Sequence, residues 1–171
     1  MIPRKFTVLD EDRIVSHLTS LEEEDRRLRF GGVVTDNYIE NYVHASFNKE
    51  SKWIGCEDGA DIVAACHVAV VDGNAELGCS VNKNYRDKKL AQAMFDRAVT
   101  WLRVQGVATV YMHCLSENGA MKHIARKNDM TVVSEFGETD ANVEVKPASP
   151  FTAMTDAYLD RIAMYDMVFK N

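Results

Sequence analysis

Glu76-Leu-Gly-Cys-Ser-Val-Asn-Lys-Asn-Tyr-Arg-Asp-Lys-Lys-Leu-Ala-Gln-Ala-Met94 reads as a strand, a basic turn and the first turn of an amphipathic helix. Lys83, Arg86, Lys88 and Lys89 surround a single anion, Asp87, in a chain whose formal net charge is -6. A helix start presents unpaired backbone N–H groups and the positive end of the macrodipole, so it is an anion site by construction. Cations gathered there in an otherwise acidic chain predict a polyanionic ligand held by its phosphates. The competing reading is a solvated basic loop that merely caps a helix.

Outward from this stretch the pattern is regular. Upstream, Trp53 to Glu57, Ile62 to Val71 and Ala75 to Val81 read as three strands, separated by Asp58-Gly59 and Asp72-Gly73-Asn74. Such dipeptides suit tight hairpins, so these strands should run antiparallel. Before them, Lys5 to Leu9 is a candidate short strand, and a helix is expected from about Glu11 to Ser20. The charged cluster Leu21 to Phe30 leads into the break Gly31-Gly32, and Thr35 or Asp36 can cap another helix carrying Tyr38, Ile39, Tyr42 and Val43.

Downstream, Ala91, Met94, Phe95, Ala98, Trp101, Leu102 and Gln105 keep helical spacing until Gly106. Thr109 to Leu115 is a strand, Asn118 to Lys127 a short helix capped by Asn118, and Met130 to Glu135 and Asn142 to Val145 closing strands. Phe151, Met154, Tyr158, Ile162, Tyr165 and Phe169 form the apolar stripe of a last helix, with Asp156, Asp160 and Asp166 off it. That stripe is read as core, with a homodimer contact as the alternative. The step from Ala75 to Leu115 should make its two strands parallel through a right-handed crossover. The expected class is α/β (an α+β mixed sheet) with helices on both faces, in one domain spanning 1–171.

Composition narrows the function classes. A hydrophobic content of 46% and a charged content of 27% are ordinary for a globular chain. The longest apolar run, Ile62 to Val71, is interrupted by His67 and falls short of the ~18 residues a membrane span needs. Met-Ile-Pro-Arg-Lys-Phe at the start lacks an apolar core with a cleavage site. Cys56, Cys66, Cys79 and Cys114 are scattered, without C-x-x-C pairs or metal spacing. These features predict a cytoplasmic protein with no metal, and the acidic balance argues against non-specific nucleic-acid binding.

The element order, with its basic turn between strand and long helix, resembles the GNAT N-acetyltransferase superfamily. That family's signature is Gln or Arg, two residues, Gly, one residue, then Gly or Ala. Arg86-Asp-Lys-Lys89-Leu-Ala91 fits at Arg86 and Ala91, whereas Lys89 stands where glycine is usual. Glu76 lies ten residues upstream, where the family often has an acidic residue, and Tyr85 fits the usual preceding aromatic. Leu115-Ser-Glu-Asn118-Gly-Ala-Met121 is similar to a run in bacterial protein-lysine acetyltransferase domains, as is the Arg29-Phe30 element within Asp25 to Phe30. The resemblance covers roughly residues 5 to 145 and leaves the last helix out.

It implies a GNAT-like acyl-coenzyme A N-acyltransferase fold: a mostly antiparallel sheet with one splayed parallel strand pair. It also implies acetyl-coenzyme A as co-substrate and an amine acceptor, a protein lysine or a small molecule. The pyrophosphate would meet the backbone N–H groups of Arg86, Asp87, Lys88, Lys89, Leu90 and Ala91. Backbone groups of Ser80 and Val81 would pair with the pantetheine arm. Asn118 would cap its helix and touch the cofactor, and Arg126 with Lys127 would reach the adenosine phosphates.

Glu76 is the candidate general base, since a free amine is mostly protonated near neutral pH. A solvent-facing strand carboxylate is the alternative. The family's usual acid, a tyrosine seven positions after Asn118, falls on Ala125. Ser116, Cys114 and His123 are substitutes by position, although a coenzyme A thiolate can leave with water as the acid. Arg26, Arg27 and Arg29 could hold a substrate carboxylate or pair with Glu22, Glu23, Glu24 and Asp25. A non-catalytic acyl-coenzyme A-binding or sensing domain of the same fold, or an assembly module paired through the last helix, remain as other classes. The acceptor, the acyl length and the oligomeric state are not legible from these residues.

Overall fold

A two-residue strand β1 (Arg4–Lys5) opens the chain and leads through a 3-10 turn (Val8–Asp10) into α1 (Glu11–Thr19). The remaining elements are α2 (Glu23–Phe30), α3 (Asp36–Ser46), β2 (Ser51–Asp58), β3 (Asp61–Val71), β4 (Asn74–Val81), α4 (Leu90–Val104), β5 (Thr109–Leu115), α5 (Gly119–Lys127), β6 (Thr131–Glu135), β7 (Glu138–Glu144) and α6 (Pro150–Phe169). This is a computed structural model; it describes residues 1–169, with side chains through Asp166. The expected stripe position Phe169 lies outside the described side chains.

The strands form one sheet in the order β1-β2-β3-β4-β5-β7-β6. Neighbours are antiparallel except β4 and β5, whose parallel register covers only Asn74↔Thr109, Ala75↔Val110 and Glu76↔Tyr111. Beyond Glu76 the two strands part. β4 continues against β3 as far as Val81↔Ala64, while β5 continues against β7. The edge of Leu77–Val81 facing β5 is therefore left without a strand partner, and this splay positions the site. The mixed sheet with one splayed parallel pair and helices on both faces matches the expected class.

Side-chain alternation builds one core on each face of the sheet. On one, Ile14 and Leu18 of α1 and Ile39 and Val43 of α3 pack on Trp53, Ile62 and Ala65. On the other, Leu90, Met94, Phe95, Ala98 and Leu102 of α4, with Met121 and Ile124 of α5, cover Cys66, Val68, Ala75, Leu77, Val110 and Met112. Helix starts follow local chemistry. The Thr35 hydroxyl accepts from Tyr38 N–H, and the Asn118 side chain accepts from Met121 N–H.

Three expectations are corrected. Leu21 to Phe30 is not only a charged connector: Glu23–Phe30 is helix α2, stopped by Gly31 at φ 73°. The first strand ends at Lys5, because Thr7 and Asp10 form a reciprocal capping box that draws the chain into the 3-10 turn. The last strand begins at Glu138, earlier than Asn142, after a hairpin at Phe136 and Gly137, both with positive φ.

α6 is turned relative to its expected stripe. Phe151, Met154 and Tyr158 are exposed, whereas Thr152, Asp156 and Ala163 are buried. The cause is Arg97 of α4, whose side chain is only 3% exposed and pairs with both Asp156 and Asp160. Lys5 meets the same two carboxylates at 2.8 and 3.0 Å. A buried guanidinium without counter-charge is far costlier than an exposed aromatic ring, so the acidic face of α6 turns inward.

Candidate active site

The β4–β5 splay opens into a cavity of about 700 Å³ whose walls come from α2, the end of β4, the basic turn, the start of α4 and α5. Cys79, Ser80 and Val81 supply the strand wall, Arg86, Asp87, Lys89, Leu90, Ala91 and Gln92 the turn and helix start, and Asn118 to Met121, His123, Ile124 and Lys127 the opposite side. α2 contributes Asp25, Leu28 and Arg29, a wall that reading the segment as a connector missed. The Arg29-Phe30 element was the available signal for it.

α4 starts without a side-chain cap. Lys89 occupies the cap position at φ 60° and ψ 21°, and the Ala93 N–H donates to the Lys89 carbonyl at 3.0 Å. The N–H groups of Leu90, Ala91 and Gln92 accordingly have no helical acceptor, and they open the helix at the cavity wall. Lys89 thus adopts the left-handed conformation that glycine takes without strain. Of the expected backbone donors, the Arg86 N–H is occupied, donating to the Lys83 carbonyl at 3.3 Å.

The charges of the basic turn are largely committed. Arg86 pairs with Asp25, and Lys83 with Glu22 at 2.9 Å. Lys88 lies over the Tyr85 ring, 4.4 Å from its centroid, and does not line the cavity. Arg126 is exposed and away from the wall that Lys127 reaches. The acidic start of α2 faces the turn, so cations expected to meet phosphates instead tie this helix to the mouth of the site. Lys88 and Arg126 do not line the cavity, while Ser80, Val81, Arg86, Asp87, Lys89, Leu90, Ala91 and Asn118 all do.

Glu76 sits at the last paired position before the strands part, exposed, on the same side of β4 as Gly78 and Ser80. Tyr111 is its partner on β5, and His113 follows two residues along on that side. The His113 ring pairs with Asp140 at 2.8 Å, and that hydrogen bond, helped by Glu138 and Glu76, holds its pKa above the ordinary value.

Ser116 is turned away. Its hydroxyl donates to the Glu138 carbonyl at 2.8 Å, and neither it nor Cys114 lines the cavity. Of the three substitutes for the missing tyrosine, His123 alone does so among the described residues. Ala125 is buried in the core. Asn118 caps α5, and its amide donates to the Leu28 carbonyl at 3.3 Å, linking α5 to α2 across the cavity.

Two buried histidines brace the strand wall. Burial, reinforced by the nearby charge of Arg29, pushes the His17 pKa down to about 4. Its Nδ1–H donates to the Ile62 carbonyl at 3.0 Å, so the neutral ring must accept at Nε2 from the Ser80 hydroxyl, 2.9 Å away. Burial and the same arginine push His67 down to about 3. No group of three or more His, Cys, Asp or Glu among the described residues could hold a metal ion, and no helix among them is long and apolar enough to cross a membrane.

The fold has structural relatives. The GNAT domain of PAT from S. lividans superposes with a TM-score of 0.72 at 18% identity, covering 83% of this chain and 89% of that one. The ribosomal-protein-S18-alanine N-acetyltransferase from Escherichia coli gives 0.67 at 13% identity, over 86% and 96%. The PaiA N-acetyltransferase from Thermoplasma acidophilum, in complex with coenzyme A, gives 0.62 at 14%, over 83% and 97%. None of the curated proteins matches the sequence. The model of the acetyltransferase (GNAT) family matches residues 11–129, the span from α1 through α5 that builds the splay and its cavity. With that match over most of its length, this chain belongs to the acetyltransferase (GNAT) family.

Proposed function

We propose that the protein transfers an acetyl group from acetyl-coenzyme A to a primary amine, on a protein lysine or a small molecule. The observation that carries this reading is one cavity bounded both by Cys79–Val81 on the free edge of β4 and by the open N-terminus of α4. The bare strand edge suits the amides of a pantetheine arm, and the Leu90, Ala91 and Gln92 N–H groups suit a diphosphate. Ser80, its hydroxyl bound to His17, keeps that edge in place.

Bound acetyl-coenzyme A would supply an activated acyl carbon. Glu76 then takes a proton from the incoming ammonium, directly or through water, since it is exposed where the strands separate. Backbone N–H groups near Val81 polarise the acyl oxygen. His123, the cavity-lining candidate nearest in kind to the missing tyrosine, stands beside solvent as a proton source for the departing thiolate. The scattered cysteines, without a C-x-x-C pair, fit a reducing compartment, the cytoplasm.

Two of the superposing proteins are named for acetylation of a nitrogen, which supports an amine acceptor here. The test is titration of the protein with coenzyme A by calorimetry, followed by thiol release over a panel of lysine peptides and small amines. Binding with turnover on at least one acceptor is expected. Binding without turnover would replace the enzyme by an acyl-coenzyme A sensor, a reading that the buried Ala125 favours. Absence of binding would remove both.

A further inference from the structure

The three arginines of α2 separate sharply. Arg26 bonds Asp36 at 2.6 Å, and Arg27 pairs with Glu24 at 2.9 Å and with Glu117. Arg29 has no carboxylate partner among the described residues, in a chain holding 26 acidic against 20 basic side chains. Its surroundings are built for it all the same. The guanidinium lies over the rings of Phe30 and Tyr42, 5.0 and 5.7 Å from their centroids. Nη2 donates to the Tyr42 hydroxyl at 3.0 Å, which then donates to His67 Nδ1 at 2.7 Å. Nε is buried and has no acceptor among the described residues. The other edge of the group abuts β4 so closely that a Cβ on Gly78 would stand 2.6 Å from Nη1.

A guanidinium cannot shed its proton, so a half-enclosed Arg29 keeps its charge and needs an anion or water to meet it. Aromatic packing and the Tyr42–His67 relay hold the fork rigid, which is wasteful for a solvated surface charge and useful for recognising a planar anion. Position says which anion. Gly78 lies two residues beyond Glu76 on the same side of the strand, so Arg29 packs on β4 one side-chain repeat from the proposed base, in the wall of the cavity it lines. The phosphate end, at the start of α4, lies past Val81 and the basic turn.

We propose that Arg29 binds a carboxylate presented at the reacting end of the cavity, so that the substrate pair carries a carboxylic acid close to the amine or the acyl carbon. This rests on the acyltransferase reading above and specifies its substrate class. The carboxylate has two chemical sources: the α-carboxylate of an amino-acid acceptor, or the far end of a dicarboxylic acyl group such as succinyl. In either case Nη1, for which no hydrogen bond is found among the described residues, would donate to the carboxylate.

The experiment has two arms. Calorimetry compares free coenzyme A, acetyl-coenzyme A and succinyl-coenzyme A on the wild-type protein, and thiol release compares each amino acid with the amine lacking its carboxylate. A preference of tenfold or more for the carboxylated member in either arm is expected, and the arm showing it names the source. Arg29→Met, which keeps length without charge, should shrink that preference at least tenfold, and Arg29→Lys should restore only part. Gly78→Ala, which forces the guanidinium aside, should act in the same direction if Arg29→Met fails to fold. Coenzyme A binding with no carboxylate preference in either arm overturns this proposal alone. Equal loss across carboxylated and uncarboxylated partners in Arg29→Met overturns it as well, assigning Arg29 to structure. A wild-type protein that binds no coenzyme A at all overturns the acyltransferase reading first and this one with it.

Discussion

Arg86 is ion-paired to Asp25, across the mouth of the cavity, so the arginine of the family signature clamps α2 rather than standing free for phosphate. The pair joins two walls that are 61 residues apart in sequence. An exposed pair of this kind is worth about 0.2–1 kcal/mol, little enough for a bound polyanion to displace.

Asp25→Ala should therefore raise affinity for coenzyme A severalfold at low salt and steepen its salt dependence, because Arg86 is released and one cavity carboxylate is gone. Calorimetry at two ionic strengths measures this. A weaker complex would mean that holding α2 in place matters more to binding than freeing the cation.

Lys89 is held at φ 60°, a conformation that costs a side-chain-bearing residue about 1–2 kcal/mol. Lys89→Gly should relieve that strain and, after glycine's greater chain entropy, stabilise the fold by about 0.5–1 kcal/mol. Thermal melts decide the point. A lower melting temperature would show that the lysine side chain makes up for its backbone.

Glu76→Gln should reduce turnover at least tenfold while coenzyme A affinity stays nearly constant, since Glu76 stands at the splay but not on the cavity wall. The loss should shrink at high pH, where more of the amine is already neutral. Unchanged turnover would remove Glu76 from the mechanism.

Acid should unfold the protein early. His17 and His67, held near 4 and 3 mainly by burial, stay neutral in the fold but protonate near 6.5 in the unfolded chain. Folded pKa values below unfolded ones give stability that is complete above about pH 6.5 and lost as pH falls toward 4. Burial alone would raise the Asp156 carboxyl, but hydrogen bonds from Lys5 and Arg97 hold it below the usual range, so its contribution disappears at still lower pH. Denaturant melts between pH 7 and 4 should show a steady decline of a few kcal/mol, flattened in His17→Gln. A flat wild-type profile would mean that these rings are solvated.

Asp156→Ala should cost about 3 kcal/mol, since it strips one of two carboxylates from the buried Arg97 and one from Lys5. Phe151→Ser, on the exposed side of α6, should cost almost nothing. Urea unfolding compares the two. The reverse ranking would restore the apolar stripe to the core.

Much of the fold was legible because its signals are local. The hairpins at Asp58-Gly59 and Asp72-Gly73 declare themselves by turn chemistry, α4 by its 3.6-residue period, α5 by its Asn118 cap. The candidate cavity was half legible for the same reason: Ser80 to Ala91 is a continuous stretch, and its backbone lines the wall wherever its side chains go. Charges were misjudged because a cation's partner is a matter of distance in space. Nothing in the order of residues says that Glu22 and Asp25 face Lys83 and Arg86, or that Asp156 reaches Arg97.

By itself, then, the chain of residues determined the order of strands and helices apart from α2, the antiparallel meander, the parallel crossover and the open helix start, consequences of patterns read along the chain. The tertiary structure alone decided which of three neighbouring arginines is left without a carboxylate among the described residues, which face of the last helix turns inward, and that α2 walls the cavity. Backbone preferences act between neighbours along the chain, whereas desolvation and ion pairing act between groups that only folding brings together.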